Sequence, residues 1–414
     1  MSSRRLQMKD GIFWSTILLS ISAIMGSAAP GIQAFGYNLF LFRLYTIFHL
    51  GILTYYVYRE RVFRIPKLSI FIYLFFILSW GSIFWSHDRV IAVETMLNFT
   101  FMFILFVSIL LSVSGRREIE QFVYVLCLFI YVSQIISLVE IWFQVYLPIS
   151  YTAQDGFSSL WYTNRNRLSF VYGMVAPLFL IYALRTKIMT SLLFFSGYIS
   201  SIYIVTMNGT RSAIGMIIIS TINIIYLKYS SELGLKKISN VDFFTPTILL
   251  SVPLSFAILS YFTNPFSRYS SLWIRYQLGS AVNEMLKQTY AMGVGIGNYN
   301  AAIISSNINT AGITSPHNWI AQLTGELGAI GVLLFLYPFS KAIYYSYVDY
   351  QSNSDVISLF LVGSLLSFVI GGLGPSRVFE IGMFWIIFAT GLVNIKLGSN
   401  ESVVSQSGLE FNSN

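Results

Sequence analysis

Charge is scarce in this chain. Only 10% of its 414 residues are Asp, Glu, Lys or Arg, while 55% are apolar. Soluble domains carry about 25% charged residues, so an ordinary soluble domain is excluded. Cysteine is rarer still: the single Cys127 lies in an apolar stretch and can form no disulfide within the chain. There are three histidines, His49, His87 and His317, and no pair of His or Cys has metal-ligand spacing. A catalytic metal held by such residues is not expected. The chain also lacks a Gly-x-Ser-x-Gly elbow, a Walker sequence, an internal repeat and a second soluble domain.

What fills the chain is long apolar runs. A membrane-spanning helix needs roughly 20 mostly apolar residues, and twelve such segments can be read: 11–29, 38–58, 68–86, 90–114, 119–147, 169–184, 188–207, 211–228, 243–262, 317–340, 355–372 and 377–396. The runs are unbroken and do not alternate, which favours helices over a barrel. The expected fold is an all-α integral membrane protein of about twelve spans. Residues 1–397 form the membrane domain, and one long extracytoplasmic loop, 263–316, carries an amphipathic helix. Residues 398–414, rich in Ser and Asn, read as a disordered cytoplasmic tail. The start of the chain, with Arg4, Arg5, Lys9, an apolar run and Gly26-Ser27-Ala28-Ala29, resembles a signal peptide. The expectation is nonetheless an uncleaved first span.

Lys and Arg set the orientation. With the N-terminus inside and the spans alternating, sixteen cations fall on the cytoplasmic side, eight fall outside, and Arg43 lies within a segment. Both termini are then cytoplasmic, and the 263–316 loop is outside. The net charge of +8 therefore points to anionic lipid headgroups rather than nucleic acid. The outside set is unusual in kind. It comprises Arg89, Arg165, Arg167, Arg211, Arg268, Arg275, Lys287 and Arg377, so seven of its eight members are Arg, while the inside set holds Lys and Arg equally. Arg is the residue of choice where a planar fork grips a phosphate or carboxylate. The outer face is expected to handle an anion such as a pyrophosphate, although pairing with Asp88, Glu94 and Glu380 would also account for some of these cations.

Individual positions sharpen that expectation. Arg211, in Asn208-Gly209-Thr210-Arg211-Ser212, falls at a helix start, where a cation opposes the macrodipole unless an anion is bound. Residues 271–289 read as an amphipathic helix with Arg275, Gly279, Val282 and Leu286 on one stripe and Glu284 and Lys287 turned away. Gly293-Val294-Gly295-Ile296-Gly297 follows no strand and so is not a dinucleotide fingerprint. It predicts a tight turn or close backbone approach. His317 opens the next apolar segment, where Asn318, Gln322 and Glu326 fall close to one stripe and His317 faces away from Glu326. A histidine at a membrane boundary can accept a proton from a hydroxyl, or simply form an interfacial hydrogen bond.

Arg211 in Gly-Thr-Arg-Ser-Ala, a long outer loop with Arg275, the Gly293–Tyr299 run, then His317-Asn318 with Gln322, Glu326, Gly328 and Gly331 together resemble the O-antigen ligase and O-antigen polymerase superfamily. The likeness is best over about 120 residues, within a core of 168–345. Arg377, Glu380 and Trp385 agree more loosely, and Ala321 and Thr324 depart from the usual leucines at packing positions. The resemblance implies a glycosyltransferase of the bacterial cytoplasmic membrane that uses no metal or other cofactor. Its donor would be an oligosaccharide on undecaprenyl pyrophosphate and its acceptor a sugar hydroxyl, with inversion at the anomeric carbon. His317 would be the general base. Arg211, Arg275 and Arg377 would hold the pyrophosphate, and Asn318 and Glu326 would support the site. Polymerisation of surface polysaccharide repeat units is the expected activity, with ligation to lipid A core or transfer onto protein as variants. From another class, a lipid-linked oligosaccharide carrier would need ionisable groups at the bilayer midplane, for which Glu140 is the best candidate.

Overall fold

The computed structural model describes residues 2–26, 31–34, 37–60, 65–146, 157–160, 162, 164–232, 271–306, 308, 312–315, 318–374 and 377–410. Helix α1 (Ser2–Ile24) leads through a short antiparallel hairpin, β1 (Gly31–Ala34) and β2 (Tyr37–Phe40), into α2 (Leu41–Glu60). Helix α3 (Ser69–Gly81) ends in a 3₁₀ turn, Ser82–Trp85. It is followed by α4 (Arg89–Ser112), α5 (Arg116–Phe143), α6 (Arg165–Arg185), α7 (Ile188–Met207) and α8 (Arg211–Glu232). Then come α9 (Ser271–Gln288), α10 (Tyr299–Ser305), α11 (Trp319–Asn353), α12 (Val356–Gly371), a second 3₁₀ turn, Val378–Glu380, and α13 (Gly382–Glu410).

Several apolar helices make this a multi-pass membrane protein. Among the described residues, α4, α5, α6, α7, α8 and α11 are long and apolar enough to cross a membrane. The apolar stretches of α3, α12 and α13 are shorter, and α1 and α2 occupy the first two expected segments. The 16 residues of α12 extend only about 24 Å, short of the ~30 Å hydrocarbon core. Among the described residues the structure thus supports six spans by length and composition, with further shorter apolar helices, and the expected count of twelve is not confirmed. The expected segment 243–262 lies outside the described residues, as does part of the 263–316 loop. Helix α13 continues through Glu410, over the stretch whose composition reads as a disordered tail.

Helix ends follow their capping residues. The Asp88 carboxylate accepts from Val90 and Ile91 N–H at 2.9 and 3.2 Å, and the Asn164 side chain accepts from Asn166 N–H at 2.7 Å. Each satisfies amide groups that a helix start leaves open. Helix α6 is buried nearly all round and packs against α7, α8 and α12. Hydroxyl and amide pairs tie the bundle internally, such as Ser137 to Tyr172 at 2.8 Å and Gln134 to Ser201 at 2.6 Å. At one end of the bundle Arg116 pairs with Asp355 and donates to Asn394 Oδ1 at 2.5 Å, while Arg185 donates to the Ser354 carbonyl at 2.7 Å. Those contacts clip α5, α6, α12 and α13 together.

The opposite end is shaped by a break in α11. Gly328 has φ 64° and ψ −166°, a conformation essentially confined to glycine. The Trp319 ring lies 5.8 Å from Phe335 and 6.1 Å from Phe339. In a straight helix those positions would be about 24 and 30 Å apart. The chain therefore reverses at Gly328, and residues 319–327 lie back against the helix that follows. The sequence reads this stretch as one continuous helix, because apolar periodicity does not register a fold-back. Carbonyls released by the break are taken up by the glycine run. Val294 N–H donates to the Gly325 carbonyl at 2.8 Å and Gly295 N–H to the Glu326 carbonyl at 2.9 Å.

Glycine is needed in that run for space as well as for φ. Gly295 has φ 89°, and a Cβ there would lie 1.9 Å from Ser86 Oγ. The far side of the run is fixed to the α3–α4 corner, where Ile296 N–H donates to Ser82 Oγ at 3.0 Å and Asp88 N–H to Asn298 Oδ1 at 2.7 Å. At Gly328 a Cβ would lie 1.9 Å from the Ala291 carbonyl oxygen. Gly328→Ala is therefore expected to destabilise the protein by about 2–4 kcal/mol, from the strained backbone and the steric overlap together. Thermal unfolding in detergent reads this directly, and an unchanged melting temperature would contradict the fold-back.

Candidate functional site

Helix direction alternates along the chain, so the starts of α2, α4, α6 and α8 meet at the end of the bundle that carries the glycine run. Thr210 Oγ1 donates to Asn166 Oδ1 at 3.0 Å, holding the start of α8 beside that of α6. A Cβ on Gly374 would meet Ser212 Oγ at 1.8 Å, so the start of α8 also abuts the turn after α12. Each of these four helices has Arg in its first turn: Arg43, Arg89, Arg165 with Arg167, and Arg211. None has an acidic residue there. Cations at helix N-termini oppose the macrodipole by about 0.3–1 kcal/mol each. The Asp88 carboxylate offsets this at the start of α4 and Glu380 pairs with Arg167 at the start of α6, so cations are gathered at this end of the bundle with part of their charge balanced.

At that end lie two recesses that share Glu380. The first is bounded by Thr95 and Phe99 of α4, Ile296 and Gly297 of the glycine run, Gln322, Leu323 and Glu326 of α11, and Arg377 and Phe379. Glu326 is buried. Its carboxylate accepts from Gln322 Nε2 at 3.2 Å and from the Gly297 N–H. The 322/326 pairing follows from helical spacing, and the glycine run supplies the second donor. Arg377 has φ 53°, a left-handed conformation that costs on the order of 1–3 kcal/mol for such a residue and tends to persist at functional sites. Its guanidinium reaches Glu380 Oε1 at 3.5 Å and is about half exposed.

The second recess lies across α4. It is lined by Arg43, Asn98, Phe101, Tyr162 and Arg167, among others, and by Glu380 from the other side. Arg167 Nη2 donates to Glu380 Oε2 at 3.0 Å, with both side chains largely buried. One carboxylate thus bridges Arg167 and Arg377. Arg43 donates to Asn98 Oδ1, and its guanidinium lies 4.8 Å from the Phe40 ring centre and 5.8 Å from that of Phe101. Burial pushes the Tyr162 hydroxyl up from its ordinary range, and the nearby Arg167 charge pulls it back by less. Tyr162 therefore stays protonated and donates to the Ile24 carbonyl.

The residues singled out in the sequence fare differently. Arg377 and Glu326 line the first recess together. Asn318 caps the start of α11, its Oδ1 accepting from Ile320 and Ala321 N–H at 3.0 and 3.2 Å. Arg211 is the exposed first residue of α8 and lines neither recess. His317 lies outside the described residues, and Arg275 is described only in its backbone. The buried stripe of α9 runs through Ile274, Leu278, Ala281, Val282 and Met285, while Gly279 is exposed. The stripe expected through Arg275 and Gly279 is thus rotated, and position 275 falls at its edge, roughly 80° from its centre at 100° per residue. The pairing of outer cations with Glu380, weighed in the sequence as the alternative to anion binding, is present at Arg167 and Arg377, whereas neither Arg43 nor Arg167 was singled out for the site. The signal for Arg43 was an arginine inside an apolar segment, which is a functional candidate by default.

No protein-family model matches the chain. A stretch of 106 residues is 24% identical to the teichuronic acid biosynthesis protein TuaE of Bacillus subtilis (strain 168), covering 24% of this chain and 22% of that protein. The likeness thus spans only about a fifth of the relative's length.

Proposed function

We propose that this protein works in membrane polysaccharide biosynthesis. It would transfer a glycan from a polyprenyl pyrophosphate, of the undecaprenyl type, to a sugar hydroxyl at the outer face of the bacterial cytoplasmic membrane, and so polymerise surface polysaccharide repeat units. The observation that carries this reading is the bridging of Arg167 and Arg377 by Glu380, beside Gln322 and Glu326 at the arginine-rich end of the bundle. The distant likeness to a teichuronic acid biosynthesis protein supports the same process.

The chemistry asks for few groups. The acceptor oxygen attacks the anomeric carbon, and the bond from that carbon to the pyrophosphate oxygen breaks with inversion. The electron pair leaves with the lipid pyrophosphate, and the hydroxyl proton passes to His317 and then to water. Charge grows on the leaving oxygen as its bond breaks, so guanidinium groups already aimed at it stabilise the transition state more than the ground state. Arg377 is assigned that role from the recess, and Arg211 and Arg275 from the sequence. Glu326 and Asn318 serve as supports, Asn318 through the helix start next to His317.

A carrier for lipid-linked oligosaccharides is the second reading. The broken α11 favours it, since discontinuous helices are common in carriers. Against it, Glu140 lies in the last turn of α5 and accepts from Ser158 Oγ at 2.7 Å.

With purified protein in lipid nanodiscs and a polyprenyl-pyrophosphate oligosaccharide, the expected product is a ladder of lengthened glycans seen by mass spectrometry. His317→Ala should lower turnover roughly 10²- to 10⁴-fold, and Arg377→Ala about 10²- to 10³-fold, at normal protein levels. Full turnover by either variant would remove its assigned role. Movement of the donor across vesicle membranes without any new glycosidic bond would instead identify a carrier. For orientation, Tyr290 is 92% exposed in the turn after α9 and the one native thiol, Cys127, is buried. Tyr290→Cys should react with an impermeant thiol reagent on intact cells, and labelling confined to lysed cells would reverse the topology.

A further inference from the structure

Glu380 poses a physical difficulty for the site. A carboxylate beside a guanidinium that is to receive a diphosphate repels the incoming anion and competes for the same cation. The geometry shows how that conflict is contained. Glu380 Oε2 accepts from Arg167 Nη2 at 3.0 Å, whereas Glu380 Oε1 lies 3.5 Å from Arg377 Nη1. The first distance is that of a sound hydrogen bond and the second lies beyond the usual range. Exposure divides the two in the same sense: the Arg167 side chain is 18% exposed and that of Arg377 44%. The carboxylate is thus held by Arg167 and only loosely engaged by Arg377, which lines the first recess.

Both members of the tighter pair stand on fixed backbone. The Arg167 N–H donates to the Asn164 carbonyl at 3.1 Å in the first turn of α6, and its neighbour Asn166 accepts from Thr210 of α8. The Glu380 N–H donates to the Arg377 carbonyl at 3.0 Å, and Trp385 Nε1 donates to the Phe379 carbonyl at 2.7 Å. We propose that Arg167 is a positioning residue that holds and neutralises Glu380, so that the charge of Arg377 stays available to the pyrophosphate. The proposal rests on the reading of Arg377 as a ligand of the leaving group, and it gives Arg167 no contact with substrate. Without Arg167, the Glu380 carboxylate closes on Arg377, three residues away in the same turn, and cancels its charge. Without either residue of the pair, Arg377 is again unopposed. A residue that merely clips helices together, as Arg116 does at the other end of the bundle, has no such dependence on its partner's charge.

The test uses the full chain in lipid nanodiscs, with geranylgeranyl pyrophosphate as the probe and geranylgeraniol as its neutral counterpart. Arg167→Met should weaken the pyrophosphate about tenfold and leave the alcohol unchanged. Adding Glu380→Gln to Arg167→Met should restore most of the lost affinity, whereas a helix clip predicts a double variant no better than the single one. In an Arg377→Ala background, Arg167→Met should have no further effect on the probe. If Arg167→Met fails to fold, the single Glu380→Gln variant decides: it should bind the pyrophosphate at least as tightly as wild type, and weaker binding would show that the carboxylate aids the anion rather than opposing it. Arg377→Ala that weakens the probe, with Arg167→Met silent or not rescued by Glu380→Gln, would overturn the positioning role and leave the enzymatic reading standing. Wild-type protein that does not bind the probe, or binds it equally well with Arg377→Ala, would sink both.

Discussion

The candidate site depends on one backbone event, the reversal of α11 at Gly328. Turning the chain there sets Gln322 and Glu326 against the glycine run, with Arg377 and Glu380 across the recess. It also strands the Gly325 and Glu326 carbonyls, which would be expensive to leave unpaired in a membrane protein. The amides of Val294 and Gly295 meet that need. Three glycines at positive φ allow the run to thread between the break and the α3–α4 corner. The break and the glycine run are thus one device: each supplies the partners that the other lacks.

Around this device the fold gathers positive charge against its own helix dipoles. First-turn arginines on α2, α4, α6 and α8 oppose a preference that most helices respect. Ion pairing relieves part of the conflict, chiefly through Glu380 with Arg167 and Arg377. The opposite end of the bundle handles its charge differently. There Arg116 faces Asp355, Asp349 and Asn394 in a closed network that joins helices. Arg116 and Arg185 also border a recess, but one with Asp349 and Asp355 in its lining, and the functional reading proposed above is set at the Glu380 end.

Much of the helical framework was legible in the sequence. The expected segment 188–207 coincides with α7, and 271–289 coincides with α9 to within a residue. Long apolar runs bounded by Asp, Asn or Gly define helices almost irrespective of tertiary context. The reversal in α11 was not legible, since Gly325, Gly328 and Gly331 fit a close-packed straight helix equally well. The β1–β2 hairpin escaped because its residues read as the approach to an apolar segment. Arg377 and Glu326 could be nominated from position alone. Arg43 and Arg167 could not be joined to them, because 124 positions separate the two in sequence and only the packing of α2, α4 and α6 brings them to one recess. The one-residue offset between the expected and observed stripes of α9 has a similar origin: its buried face packs on Val294, Tyr299 and Ile303, which follow it in the chain.

The central claim is that guanidinium groups beside Glu380 receive a diphosphate. Its most direct test is a structure of the protein in lipid nanodiscs with a non-hydrolysable polyprenyl methylene-bisphosphonate. The account predicts phosphonate oxygens at about 3 Å from the Arg377 guanidinium, with the lipid tail leaving along the bundle. Phosphonate density at the Arg116 end of the bundle, with both recesses beside Glu380 empty, would contradict it.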